Sequence, residues 1–145
     1  GLLHNLGELV VQQFSPEKVE AIAGNAEDNY PWEKQQQALE FSYGECTAEL
    51  LKLWQLPFSL VEPIRYQDDE DFELSTLETK LLYLSKRIAF KNSVNLDMPL
   101  SYFASDEKFE SCQVSEELVE ASIAYCDLER LGVLAILNPS SAMIY

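Results

Sequence analysis

The feature that most limits the fold is a helical repeat of apolar residues along much of the chain. In its clearest stretch, leucine or isoleucine recurs every three or four residues, at Leu74, Leu77, Leu81, Leu84 and Ile88. This spacing places the side chains on one face of an α-helix, whereas a half-buried strand needs alternation in steps of two. No segment shows comparable alternation, so the sequence predicts an all-α fold.

The same period, together with prolines and capping residues, predicts where the helices lie. The clearest and the shorter helices are expected at about 2–14, 16–26, 31–41, 43–55, 57–66, 74–90 and 116–136. Ser15 and Ser115 are candidate N-caps, because a serine hydroxyl can accept from the free backbone N–H groups of a first turn. Residues 92–114 have no clear period and are predicted to form a connector.

The chain is strongly acidic, with 25 Asp and Glu against 10 Lys and Arg and a formal net charge of −15. Nucleic acids and anionic membranes need a dense positive surface, so neither is an expected partner. The 47% apolar content can build a core. No membrane span or signal peptide is visible. We expect a cytoplasmic protein with three reduced, buried thiols, Cys46, Cys112 and Cys126.

The residue types exclude most familiar catalytic sites. A single histidine cannot supply a zinc site of several imidazoles, and the three cysteines lie far apart in sequence. The sequence contains no GxSxG elbow, no GxxxxGK[ST] loop and no GxGxxG motif. We therefore predict no catalytic residues, no cofactor and no phosphate-binding loop.

Three clusters have a structural interpretation that we favour over a functional one. The acidic run 68–71 lacks the ligand spacing and turn glycine of an EF-hand, which favours a solvated loop over a cation site. The Tyr-Pro-Trp sequence at 30–32 favours a packed corner between helices over a binding patch. The bases Lys86, Arg87 and Lys91 favour charge complementation at a helix C-terminus over a phosphate site.

Several segments nevertheless resemble a known family. Residues 1–9, GLLHNLGEL, resemble the GLLHDIGKL signature of the HD superfamily. Residues 45–57, ECTAELLKLWQLP, and 64–66, IRY, resemble a segment of its HDOD branch, the HD-related output domains. Residues 81–89, LLYLSKRIA, are similar to that family's next helix.

This resemblance implies an HD-like helical bundle. It implies that residues 1–92 form the C-terminal part of an HDOD-like domain, without the family's N-terminal helices. Residues 93–145 are then expected to form a connector and a long helix that packs on this domain.

The resemblance also implies where a metal site would lie. In catalytic HD proteins, a His-Asp pair and further His and Asp residues hold metals that activate water for phosphoester hydrolysis. The corresponding positions here, with Tyr43 matched to within one residue, are His4, Asn5, Tyr43, Gln67, Asp68 and Lys86. An amide and an ammonium stand where carboxylates are needed, so we expect a degenerate site without metal.

Three hypotheses follow from the resemblance. The first is a non-catalytic HDOD-type module of bacterial signal transduction that acts through protein contacts. The second is a metal-dependent phosphohydrolase of nucleotides or cyclic dinucleotides, with ligands recruited from Asp68, Asp69 or Glu45. The third is a nucleotide pocket without hydrolysis, in which Lys86 meets a phosphate. Instead of meeting a phosphate, Lys86 can form an ion pair with a carboxylate such as Glu45.

The helix at 2–14 carries a prediction about assembly. If the family's N-terminal helices are absent, its apolar face loses part of its cover, and such faces usually find a partner. We expect self-association that buries it against another copy or against residues 115–137. The residues involved are Leu2, Leu6, Leu9, Val10 or Phe14.

Overall fold

A computed structural model of the protein describes residues 2–24, 30–94, 97–138 and 140. The regular structure of these residues is helical and includes no strand, which confirms the all-α prediction. The α-helices are α1 Leu6–Phe14, α2 Pro16–Ala23, α3 Pro31–Leu39, α4 Tyr43–Leu53, α5 Phe58–Arg65, α6 Leu77–Ser93, α7 Asp106–Ser111 and α8 Glu116–Leu137.

All seven predicted helices occur, but several ends differ. Residues 2–5 form turns, so α1 starts later than predicted, and the predicted end of α2 at 26 lies outside the described residues. The α6 helix starts later because the Thr76 hydroxyl caps it, accepting from the backbone N–H of Thr79 at 3.3 Å. Ser115 caps α8 as predicted, whereas the Ser15 side chain makes no cap hydrogen bond.

The connector predicted at 92–114 was wrong in part. This stretch holds the end of α6, a 3-10 turn at Leu100–Tyr102 and the short helix α7. The 3-10 turn starts after Pro99, which lies in extended backbone and cannot continue a preceding helix. Short helices of three to six residues are too brief for their apolar period to stand out in a sequence.

The chain divides into two compact units, residues 1–97 and 98–145. In the first unit, α1 packs against α2 and α4, α4 against α5, α2 against α3 and α5 against α6. One buried cluster contains Val11, Val19, Ile22 and Tyr43. A second contains Ala48, Leu51, Val61 and Ile64.

Gly7 sets the close approach of α1 to α4. A Cβ atom built on Gly7 would lie 2.3 Å from the carbonyl oxygen of Tyr43, so any larger residue would force the helices apart. The Gly7 N–H donates to the Thr47 hydroxyl at 2.8 Å, and that hydroxyl donates to the Tyr43 carbonyl at 2.6 Å. These contacts fix the chain that leads into α1, including His4, against the first turn of α4.

The second unit contains the 3-10 turn, α7 and the long helix α8. Its buried residues are Phe103, Ala104, Phe109 and Val119. Apolar residues in the C-terminal half of α8 are exposed, including Leu128 and Ile136. The packing of this helix on the first domain stays a prediction.

Two composition-based expectations bear on these units. The three cysteines are free, but Cys126 is exposed, and Cys46 and Cys112 are half-buried, so the prediction of buried thiols was wrong. Burial raises the pKa of the Cys46 thiol. Among the described residues, no helix is long and apolar enough to cross a membrane.

Candidate functional site

A cavity of about 630 Å³ lies in the first unit. It is lined by residues of α1, α2, α3 and α6, by the first residue of α4 and by the turn that precedes α1. Four of the six positions implied by the resemblance line it: His4, Asn5, Tyr43 and Lys86. The remaining two, Gln67 and Asp68, contact members of this set directly. The structure therefore brings four of the six positions to one cavity and links the other two to them by direct contacts.

Gln67 acts as a clamp between two segments of backbone. Its side chain is fully buried, and its Nε2 donates to the carbonyl oxygens of His4 and Ile64, both at 2.9 Å. Its Oε1 has no hydrogen-bond partner among the described residues. The amide thus ties the end of α5 to the turn that carries His4, which is a structural role that its position in the motif did not suggest.

Asn5 and Tyr43 are held by local contacts. The Asn5 amide donates to the Glu8 carboxylate one helical turn later. The Tyr43 backbone N–H donates to Gln35 Oε1 at 2.8 Å, and its buried hydroxyl has no hydrogen-bond partner within the described part of the chain. Burial, with a smaller contribution from the Glu8 carboxylate, raises the pKa of Tyr43, so this hydroxyl stays protonated.

Lys86 and Asp68 form a nearly buried ion pair at the edge of the cavity. The Lys86 ammonium donates to Asp68 Oδ2 at 2.6 Å, and the two side chains are 15% and 13% exposed. Burial lowers the pKa of Lys86 even though the Asp68 carboxylate opposes the shift. Glu45, which we considered as a partner of Lys86, instead accepts from the Ser42 backbone N–H at 2.7 Å.

Arg87 is the most deeply buried charged residue in the described chain, with 1% of its surface exposed. Its guanidinium carbon lies 3.3 Å from the centre of the Tyr83 ring and 4.4 Å from that of Trp32. It also contacts Asp68 and Glu70, each at 3.4 Å. Such close approach to aromatic rings suits a guanidinium, which is weakly hydrated and planar.

The interpretation of Lys86 and Arg87 as helix-terminal charges was therefore wrong. Both side chains turn inward to carboxylates on the 66–76 segment. The spacing of Tyr83 and Arg87, four residues apart on α6, places them on one helix face and was the available signal for their contact.

The aromatic corner at 30–32 is packed as predicted. The rings of Tyr30 and Trp32 stack with centroids 4.9 Å apart, and Phe90 meets Trp32 edge-on at 5.4 Å. Because Trp32 and Phe90 also line the cavity, the corner forms part of its wall.

In the acidic run 68–71 the last three residues are exposed, although the Glu70 carboxylate also accepts from the Tyr83 hydroxyl at 2.8 Å and contacts Arg87. Asp69 accepts from the Asp71 backbone N–H at 3.0 Å, and Asp71 accepts from the Glu73 N–H at 3.1 Å, as in Asx turns. Asp68 departs from the prediction because Lys86 and Arg87 draw it inward.

The comparisons with known proteins add one match. Residues 1–70 match the family model of the HDOD domain. These residues, 70 of the chain's 145, are similar to the HDOD domain. No curated protein and no solved structure matched the chain.

The residues at the six positions implied by the resemblance do not fit a divalent metal. Asp68 is engaged by two cationic side chains, and Gln67, whose amide N–H groups bind the His4 and Ile64 carbonyls, brings no charge to the site. Glu45 and Asp69, the other proposed ligands, make the separate local contacts described above. Among the described residues, no three His, Cys, Asp or Glu side chains are grouped so that they could hold a metal.

Proposed function

We propose that this chain is a non-catalytic HDOD-type regulatory module of a signalling pathway and acts through protein contacts. The observation that carries the proposal is the Lys86–Asp68 ion pair, with its 2.6 Å contact beside the cavity. At the positions where the resemblance implies metal ligands, a protein ammonium neutralises the carboxylate that a metal would need.

The electrostatics of the site favour this reading over a phosphohydrolase. A divalent cation at Asp68 would have to displace Lys86, and Arg87 would still face the same carboxylate. At an effective dielectric near 20, two unit charges about 4 Å apart interact with roughly 4 kcal/mol. Repulsion of a divalent ion by one such cation would therefore offset the attraction of Asp68 at a similar distance.

The surface for a protein partner lies at the turn between α4 and α5. Leu53, Trp54 and Phe58 lie within six residues of each other and are 80%, 57% and 71% exposed. Large exposed aromatic side chains are common anchors of protein interfaces. Glu49 precedes this surface on α4, and its carboxylate pairs with Lys52 and with Arg65. The hydrogen bond from Arg65 makes the largest contribution to lowering the pKa of Glu49, and the one from Lys52 adds to it.

The proposal is tested by metal content and hydrolysis. Protein purified without chelators should contain no stoichiometric metal by elemental analysis, and added manganese should give no phosphodiesterase turnover. Stoichiometric metal, or turnover that disappears in His4→Ala, would establish the hydrolase instead.

Protein contact is tested separately by photo-crosslinking. A photoreactive residue replacing Trp54 should capture a protein partner that the same residue at exposed Lys18 does not capture. Equal capture at both positions would remove the evidence for the α4–α5 surface.

A further inference from the structure

We propose that the cavity beside Lys86 binds a small, mainly apolar aromatic molecule that carries a single acidic group directed at the Lys86 ammonium. The inference concerns ligand binding alone and does not rest on the regulatory role. It also differs from the nucleotide pocket considered above in the class of ligand.

The size and the walls of the cavity fit such a molecule. Its volume of about 630 Å³ falls within the range of small-molecule sites, which are largely apolar with a few fixed polar groups. Its apolar wall is built from Val19, Ile22, Trp32, Leu82, Phe90 and Val94. The two aromatic rings in this wall meet edge-on and are therefore fixed in place, so a flat ligand can pack on them without ordering mobile side chains.

Lys86 supplies the polar contact. An ammonium has three N–H donors, and Asp68 is the one hydrogen-bond partner of Lys86 among the described residues. Because the side chain lines the cavity and is largely buried, a ligand acceptor there would meet a donor in a weakly screened environment. A carboxylate or sulfonate would gain most from this contact, since both partners are then charged.

The charge around the cavity limits the ligand to one acidic group. Asp68 already offsets the charge of Lys86, and the other lining ammonium, Lys34, donates to the Gly24 carbonyl. The Glu8 carboxylate also belongs to the lining. A nucleotide with several phosphate charges needs convergent cations or a row of backbone N–H donors. The cavity therefore favours an aromatic monoacid over a nucleotide.

The test uses 8-anilinonaphthalene-1-sulfonate, an aromatic probe with one acidic group, whose fluorescence rises on binding. Ala89 lines the cavity and is exposed on α6, so Ala89→Phe fills the site without disturbing the core. Ala21 is exposed on α2 outside the cavity lining, and Ala21→Phe is the matched control. We expect saturable binding to the wild type, at least about tenfold weaker binding to Ala89→Phe, and unchanged binding to Ala21→Phe.

A second variant tests the polar contact. Lys86→Met keeps the length of the side chain and should weaken the sulfonate probe about tenfold, as expected for one lost charge-assisted hydrogen bond. Melting followed by circular dichroism shows whether each variant is folded. ADP, used as the nucleotide probe, should not compete.

The location of the probe is read independently of these variants. The chain has two tryptophans, Trp32 in the cavity wall and exposed Trp54. In a Trp54→Phe background, the bound probe should quench Trp32 emission. Equal probe affinity in Ala89→Phe and Ala21→Phe, or absence of Trp32 quenching, would place the probe elsewhere and overturn the site. Competition by ADP that is lost in Lys86→Met would overturn the proposed ligand class.

Discussion

Asp68 is the residue at which a change of one functional group should cost the most stability. Its carboxylate contacts two cationic side chains, the Lys86 ammonium at 2.6 Å and the Arg87 guanidinium at 3.4 Å. At an effective dielectric near 20, each attraction is worth roughly 5–6 kcal/mol before the cost of desolvation is considered. Asp68→Asn keeps the shape of the side chain but leaves two cations without their shared anion.

The net loss is smaller than the Coulomb energies, because much of the attraction only offsets the burial of the charges. Removing one partner of a buried ion pair typically costs about 3–5 kcal/mol, since it leaves an uncompensated charge. Glu70 still contacts Arg87, which places the expected loss for Asp68→Asn at the lower end, about 3 kcal/mol.

Lys86→Met should behave differently although it breaks the same ion pair. Asp68 keeps Arg87 as a partner, and the variant removes an ammonium whose pKa burial already lowers. We expect a change in stability of less than about 1 kcal/mol in either direction. The double variant should recover about half of the loss caused by Asp68→Asn alone, because Arg87 is then the one cation that has lost Asp68, and Glu70 still contacts it.

Urea unfolding followed by tryptophan fluorescence is the suitable assay. Both tryptophans, Trp32 and Trp54, lie in the unit formed by residues 1–97, so the signal reports on the unit that holds the ion pair. The reasoning is refuted if Asp68→Asn costs no more than Lys86→Met, or if the double variant is no more stable than Asp68→Asn.

Three further predictions concern pH, packing and assembly. Burial holds the pKa of Lys86 in the folded protein below its value in the unfolded chain. The stability of the wild type relative to Lys86→Met should therefore rise with pH between these two pKa values, because the unfolded chain binds more protons there. Paired urea titrations in alkaline buffers measure this difference. In thermal melts, Gly7→Ala should lose about 1–3 kcal/mol of stability, because the new Cβ would lie 2.3 Å from a backbone oxygen. Gly132→Ala in α8 has nothing within 4 Å and should be neutral or gain up to about 1 kcal/mol. Equal effects of the two variants would contradict the packing argument. Leu9 and Phe14 are 66% and 78% exposed on α1, and changing both to lysine should convert a self-associating protein to a monomer by light scattering, while a monomeric wild type would contradict the assembly prediction.

The sequence predicted the helices well because their period is local. The start of α6 was missed by three residues since the Leu74 and Leu77 spacing continued the pattern, whereas the Thr76 cap decided the boundary. The resemblance also selected the right neighbourhood, because four of its six positions line one cavity. Local patterns and motif order thus located the site.

Partner choice could not be predicted in the same way. Lys86 has Asp68 rather than Glu45 as its partner because the segment between α5 and α6 folds back over α6, and no local period encodes that return. Arg87 was assigned to charge complementation at a helix C-terminus for the same reason, although it contacts two aromatic rings. A cation near the end of a helix is usually exposed, and only the neighbouring segments decide whether it turns inward.

The residues at the positions implied by the resemblance also join separate segments of the first unit. A metal held by residues on separate helices crosslinks those helices and stabilises the fold that brings them together. In this chain, the Gln67 amide links the segment after α5 to the His4 carbonyl. The Lys86–Asp68 pair links α6 to the turn that follows α5. Each link joins segments that carry positions implied by the resemblance. Asp68 holds two cations of α6, so loss of its carboxylate should destabilise the first unit more than loss of Lys86 alone, and this is the outcome that the Asp68→Asn experiment measures.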